Sequence, residues 1–255
     1  MAQTKSTRKP RTAPGVRPAL QQRSREKRDR LIKAGIAAFA RDGYEAARIV
    51  DIVREAGISV GVFYQRFKDK RGFFDALEQE FVARGKANWD RFFEGADPNW
   101  TARQLLERLT RNLGRVIEDN IGFFRALISL GHHDKSVVGP GVELARYGAV
   151  RLQEYLVARG LLDPKKIDKD DVYFALAMIH RSLVMTAAMG AGGPYGASER
   201  RTARKLARML ANFLSIDLDQ VGRPEPGVER RTSVSRSRST PSARPAAPRE
   251  ARRES

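Results

Sequence analysis

Residues 49–67, Ile-Val-Asp-Ile-Val-Arg-Glu-Ala-Gly-Ile-Ser-Val-Gly-Val-Phe-Tyr-Gln-Arg-Phe, decide how this 255-residue chain folds. Ile49, Ile52 and Val53 recur at the helical period, and Gly57 ends that helix after two to three turns. Ser59 is a good N-cap for a further short helix. On it Val62, Phe63 and Phe67 face inward, while Val60, Gln65 and Arg66 face out. Two short helices joined by a glycine-bearing turn have helix-turn-helix geometry.

Upstream, Leu31, Ile32, Gly35, Ile36 and Phe39 form the stripe of an amphipathic helix beginning near Ser24 and stopped by Arg41-Asp42-Gly43. Downstream, Asp69 caps a longer helix carrying Phe73, Leu77, Phe81 and Trp89, which ends where Gly95 and Pro98 punctuate the chain. Leu105, Leu109, Leu113 and Val116 mark another helix, and Phe123, Phe124, Leu127 and Ile128 one more. Further helices read at 141–159, at 170–190 from the acidic start Asp168 to Asp171, and at 198–215 from Ser198 and Glu199. The fold class is all-α, with about nine helices, no alternating strand pattern and no fixed-period repeat.

Charge singles out the partner. Lys and Arg number 48 against 30 Asp and Glu, a formal excess of +18 that favours polyanions, nucleic acid first and an anionic membrane surface second. Residues 1–30 hold ten of the cations and two acids, and residues 222–255 hold nine arginines and four acids. Such Arg, Ser and Pro mixtures bury too little apolar surface to offset ordering entropy, so 1–23 is expected as a disordered basic arm and 218–255 as a disordered tail. There is no cysteine, hence no disulfide and no thiolate metal site. The basic N-terminus lacks the apolar stretch of a signal peptide, and no run of about eighteen apolar residues suits a membrane span. A cytoplasmic protein with no membrane partner is expected.

The series Leu31-Ile32-x-Ala34, Phe39, Gly43-Tyr44, Ile49-x-x-Ile52 and Ala56-Gly57-Ile58-Ser59-x-Gly61-x-Phe63-Tyr64-x-x-Phe67-x-x-Lys70 resembles the DNA-binding domain of the TetR (tetracycline-repressor-like) family of transcriptional regulators. The resemblance implies a helix-turn-helix domain over 24–71 and a helical ligand-binding and dimerisation domain over 72–217. On the family's pattern Tyr64 and Lys70 hold the DNA backbone, while Ser59 caps the recognition helix and touches phosphate. Val60, Gly61, Val62 and Gln65 fall where the family reads bases; apolar side chains sense a thymine methyl or shape, whereas Gln65 suits adenine. Arg66 fits either task, and Lys68 completes the basic face. Arg48 stands where the family has Thr or Ser and Ala47 where it has Thr. The second helix thereby loses a hydroxyl cap, and Arg48 becomes a candidate for a charged phosphate contact. Gly35 and Val53 both stand where Ala is usual, and Gly35 weakens the first helix.

For the second domain the resemblance implies a small hydrophobic effector, with Trp89, Phe93, Leu113, Phe123, Phe124, Leu127, Tyr147, Phe174 and Met178 as candidate lining residues. It also implies a homodimer through 170–190 and 198–215, with Leu176, Leu183, Leu206, Leu210 and Leu214 on the pairing helices. Two copies present paired recognition helices to successive major-groove faces, so the operator is expected to be near-palindromic. Repression relieved by ligand is the family's usual mode.

His132 and His133 precede Asp134, but neighbours on a helix point about 100° apart and do not easily share a metal. A helix-terminal role suits them better, and His180 reads as a core or interface residue. No metal or cofactor is expected. An enzyme is disfavoured, since no Gly-rich phosphate loop or Gly-x-Ser-x-Gly elbow occurs. The alternative function is sequence-indifferent coating of nucleic acid or chromosome, which counterion release alone can support.

Overall fold

The computed structural model describes residues 16–190 and 195–223, with side chains from residue 22 onward; the remainder of both basic arms lies outside the described residues. Nine α-helices make up most of what is described: α1 (Val16–Ala46), α2 (Ile49–Ala56), α3 (Val60–Tyr64), α4 (Lys70–Glu94), α5 (Ala102–Asp119), α6 (Ile121–His133), α7 (Gly139–Ala158), α8 (Lys169–Ala188) and α9 (Arg200–Phe213). A short 3-10 turn, Lys135–Val138, joins α6 to α7.

Two boundaries differ from the sequence expectation. The first helix begins at Val16 rather than near Ser24, so residues 16–23 are helical and not part of a disordered arm. Pro18 falls in its first turn, where backbone N–H groups have no helical acceptor, and Ala19, Leu20 and Gln21 are good helix formers. Residues 218–223, expected in the tail, are likewise held in the body, and the expected tail from residue 224 on lies outside the described residues. Backbone N–H groups of Ala102 and Arg103 donate to the carbonyls of Gln220 (2.9 Å) and Leu218 (2.8 Å). The buried Arg159 guanidinium donates to the carbonyls of Pro98 and Gly222. Residues 218–223 therefore strap the start of α5 to the end of α7.

Local signals explain the other ends. Gly43 interrupts α1 with φ of 77°. Gly57 ends α2 in the left-handed region (φ 63°), and the Ile58 N–H returns to the Val53 carbonyl at 3.0 Å, a Schellman closure that a Cβ-bearing residue would strain. Thr101 and Asp168 open α5 and α8 as capping boxes with Gln104 and Asp171.

One continuous apolar core runs through all the helices. Its densest part is aromatic: Phe39, Phe63, Phe73 and Phe74 are fully buried. Gly35 now has a reason, since a Cβ there would lie 2.6 Å from the Phe73 ring. Elsewhere α6 lies against α1 so closely that a Cβ on Gly122 would sit 1.9 Å from the Ile36 carbonyl oxygen. From α6, Arg125 donates to Ala40 in α1 (2.7 Å) and to Ala188 at the end of α8 (3.1 Å). The boundary drawn at residues 71 and 72 falls inside α4, which runs unbroken from the helix-turn-helix into the body of the molecule.

Candidate nucleic-acid interface

Burial fixes which side of the helix-turn-helix is free. Ile52, Val53 and Ala56 seat α2 on the core. Phe63 alone is fully buried on α3, with its ring centroid 5.2 Å from Phe67 and 5.4 Å from Phe73. With Phe63 pinned, Val60, Gly61, Tyr64, Gln65 and Arg66 are exposed and Val62 is half-buried. Tyr64 leans edge-on against Phe63 at 5.4 Å yet keeps 53% of its surface open, so its phenol is free to donate. Ser59 is the N-cap as expected, its Oγ accepting from the Val62 N–H at 3.4 Å.

The cations around this face differ in availability. Lys68 is exposed. Arg66 donates to Ser24 Oγ at 2.8 Å, linking α1 to the end of α3. Arg48 is N-cap of α2 by backbone conformation alone, with no side-chain cap. Its guanidinium instead meets Asp51 at 2.8 Å, as does Arg54 at 2.5 Å. Pairs this exposed hold little energy, so Arg48 stays open to phosphate.

Lys70 corrects the sequence reading. Its ammonium donates to three backbone carbonyls, Tyr44 (2.7 Å), Glu45 (2.8 Å) and Ala47 (3.2 Å), and lies 4.7 Å from the Tyr44 ring centre. All three N–H donors are occupied closing the turn between α1 and α2. The residue is a brace for the helix-turn-helix, not a free phosphate ligand.

Among the described residues, the candidate effector residues pack against neighbouring side chains in several separate places. Phe123 stacks on Phe81 (4.6 Å) and Phe74 (5.5 Å), Phe124 meets Phe81 and His180, and Trp89 stacks on Phe93 (6.0 Å). Leu113 and Leu127 pack at the margin of this core. Tyr147 donates to Asp90 at 2.6 Å. One surface depression lies by Gln153, Val157 and Asp168 and another by Arg41, Asp51 and Arg54, and neither is lined by any of the nine. Two polar groups are enclosed nearby. Burial, helped by Asp75, raises the Glu78 carboxyl to about 7, and its Oε1 has no hydrogen-bond partner. Burial and Arg181 lower His180 to about 4.

Phe174 and Met178 lie elsewhere. They are exposed and continue along α8 into Met185, spaced at one face of the helix. Met209 and Phe213 of α9 join them, with the Phe174 and Phe213 rings 5.8 Å apart. The leucines expected on the pairing face are core instead: Leu176, Leu183, Leu210 and Leu214 are buried within the one chain, and Leu206 is partly buried. Sequence reasoning missed this Met and Phe face because two helical stripes compete on each helix, and the leucines were the louder. Among the described residues no group of acids and histidines is placed to hold a metal, and His132 and His133 end α6. No helix among them is long and apolar enough to cross a membrane.

Comparison with known proteins meets the chain at this same segment. Residues 31–77, from α1 into α4, match the model for bacterial regulatory proteins, tetR family. The HTH-type transcriptional regulator YerO of Bacillus subtilis is 49% identical over 94 residues, 37% of this chain; the matched stretch spans 31% of that relative's length. A tetR-family transcriptional regulator from Streptomyces coelicolor shares the fold, with 17% identity and a TM-score of 0.60 over 75% of this chain and 81% of that one. So does the transcriptional regulator FadR from Bacillus subtilis in complex with stearoyl-CoA, at 16% identity and a TM-score of 0.51 over 71% of this chain and 96% of that one. The chain thus carries a helix-turn-helix segment that matches the tetR family of bacterial regulatory proteins over residues 31–77, and the helical body behind it shares its fold with tetR-family regulators.

Proposed function

We propose that the chain is a sequence-specific transcriptional regulator that binds a near-palindromic duplex operator as a homodimer and releases it when a small hydrophobic effector binds. The observation that carries this reading is α3: one buried anchor, Phe63, and an exposed surface bearing Val60 and Gly61 at its N-terminal end, Tyr64 and Gln65 at its C-terminal end and Arg66 just beyond. That is the layout a recognition helix needs, with base-reading side chains at its start and phosphate-holding groups around them. Tyr64, Ser59, Arg48, Arg66 and Lys68 serve the backbone, and Gln65 with the small residues Val60, Gly61 and Val62 reads bases.

The exposed Phe and Met face on α8 and α9 supports the homodimer, since contiguous apolar surface of this kind marks association. Effector response is supported by the shared fold of FadR, which holds stearoyl-CoA, and by the enclosed Glu78 and His180 beside the aromatic cluster. The cytoplasmic setting expected of the chain follows from a task on chromosomal DNA.

Random-sequence selection on duplex DNA tests the reading. The expected product is a motif with two inverted half-sites whose centres are roughly 34–36 Å apart, one helical turn, or a multiple of that. Tyr64→Phe weakens binding across all sequences, whereas Gln65→Ala relaxes preference at one position per half-site. Equal affinity for every duplex, with no enriched motif, overturns specificity in favour of coating.

A further inference from the structure

We infer that α5 and α9 together form a second cationic surface, separate from α3, which holds the phosphate backbone of duplex DNA without reading its sequence; the inference rests on the reading of the chain as a DNA-binding protein. Helix α9 has three faces. Ala203, Ala207, Leu210 and Leu214 are buried, and Met209 and Phe213 belong to the exposed apolar face. The third carries Arg201, Arg204, Lys205 and Arg208, all exposed.

Packing sets the cations of α5 beside this row. Thr110 Oγ1 donates to the Ala203 carbonyl at 3.0 Å, and Gly114 lies directly under the Ala197 carbonyl. Arg111 is thereby crowded by Arg115 and Arg200, whose like charges, with burial, lower its pKa, and its Nε is buried without a partner. Arg115 and Arg108 are also exposed on α5.

None of these cations is ion-paired among the described residues, whereas arginines of α1, α2, α4 and α7, such as Arg28, Arg54, Arg84 and Arg151, meet carboxylates. Of the acids nearest the start of α9, Glu118 accepts from the Ser198 N–H and Glu199 lies against Gly196. A surface kept merely soluble intersperses both signs, whereas α9 carries no acid between Arg200 and Phe213, and such a local excess of one sign favours a polyanion. Arg108 over Trp100 (4.5 Å) and Arg201 over Tyr195 (5.1 Å) are held in place by aromatic faces, which lowers the entropy lost on binding.

Position selects DNA among polyanions. Arg125 ties the end of α8 to α1, and Glu118, which holds the Ser198 N–H just before α9, lies four residues ahead of Gly122, itself packed on Ile36 of α1, so the start of α9 lies at the end of the body that packs on the helix-turn-helix unit. The row Arg201, Arg204, Arg208 runs for about 10 Å along the helix axis. A duplex offers one phosphate charge about every 1.7 Å of its axis, enough for each guanidinium to find a partner.

The test compares the full chain with a variant carrying Arg201→Gln, Arg204→Gln and Arg208→Gln, measuring affinity for a selected operator embedded in flanking duplex across a salt series. The slope of log affinity against log salt is expected to fall by about 2 to 3, at about 0.9 for each phosphate contact removed, with the preferred sequence unchanged. Equal slopes for the two proteins overturn the inference. Loss of affinity for anionic phosphatidylserine vesicles with the DNA slope unchanged overturns it too, and assigns the surface to membranes. If the parent binds no duplex at all, the functional reading itself has failed, a different outcome from equal slopes. Should the triple variant lose helicity or change oligomeric state, Arg108→Gln with Arg115→Gln on α5 gives the second measurement, for which a fall of about 2 is expected and an unchanged slope is fatal.

Discussion

Lys70 separates what a residue is from where it points. A lysine at the start of a helix that follows a recognition helix reads from sequence as a phosphate ligand, because helix N-termini and cations both attract anions. Its acceptors, the carbonyls 23 to 26 residues upstream, carry no side-chain signature and were invisible without the fold. The caps at Ser59, Asp69 and Gly57 were legible, since each is satisfied within one turn of itself. Replacing Lys70 by Met leaves those carbonyls short of donors, and a stability loss of about 1–3 kcal/mol follows. DNA affinity then falls evenly across sequences because the turn between α1 and α2 loosens. Chemical unfolding of Lys70→Met checks this: weakened DNA binding at unchanged stability would return the ammonium to the phosphate.

Between elements, what matters is how closely backbones approach. Gly61 and Gly122 look alike in sequence, each an isolated glycine in a helix of ordinary apolar periodicity. A Cβ on Gly61 meets nothing within 4 Å, whereas one on Gly122 would overlap the Ile36 carbonyl of α1. Gly122→Ala is therefore expected to cost about 1–3 kcal/mol or more as α6 is pushed off α1, read as a lower melting temperature. Gly61→Ala should leave stability unchanged or gain up to about 1 kcal/mol from helix propensity, yet weaken operator binding because the added methyl lies on the face offered to the bases. Normal operator affinity in a stable Gly61→Ala protein would remove the N-terminal end of α3 from the interface. Helix existence was thus legible, because amphipathic stripes and caps are local. Which stripe of α8 and α9 faces a neighbour was not, because core leucines and exposed methionines obey the same period.

For the whole molecule, pH exposes a balance between two buried groups on different helices. Glu78 binds its proton more tightly in the folded chain, near 7 against an ordinary 4.5, so its contribution makes stability fall as pH rises across that interval. His180 does the reverse, since its folded value of about 4 lies below the ordinary 6.5, and stability rises with pH between those limits. Each displacement corresponds to a ceiling on the order of 3 kcal/mol. The two cancel over roughly pH 4.5 to 6.5, and the lowered carboxyls of Asp134 and Asp51 act only below that interval. Urea unfolding of the parent should therefore be nearly flat there. Glu78→Gln unmasks the histidine, giving stability that climbs from pH 4.5 to 6.5, and His180→Leu unmasks the carboxyl, giving stability that declines. Parallel, flat profiles in both variants would mean that neither group is held neutral by the fold. An effector that pairs with Glu78 would in turn restore its charge at neutral pH, so the same unfolding series with ligand present should flatten the decline seen in His180→Leu.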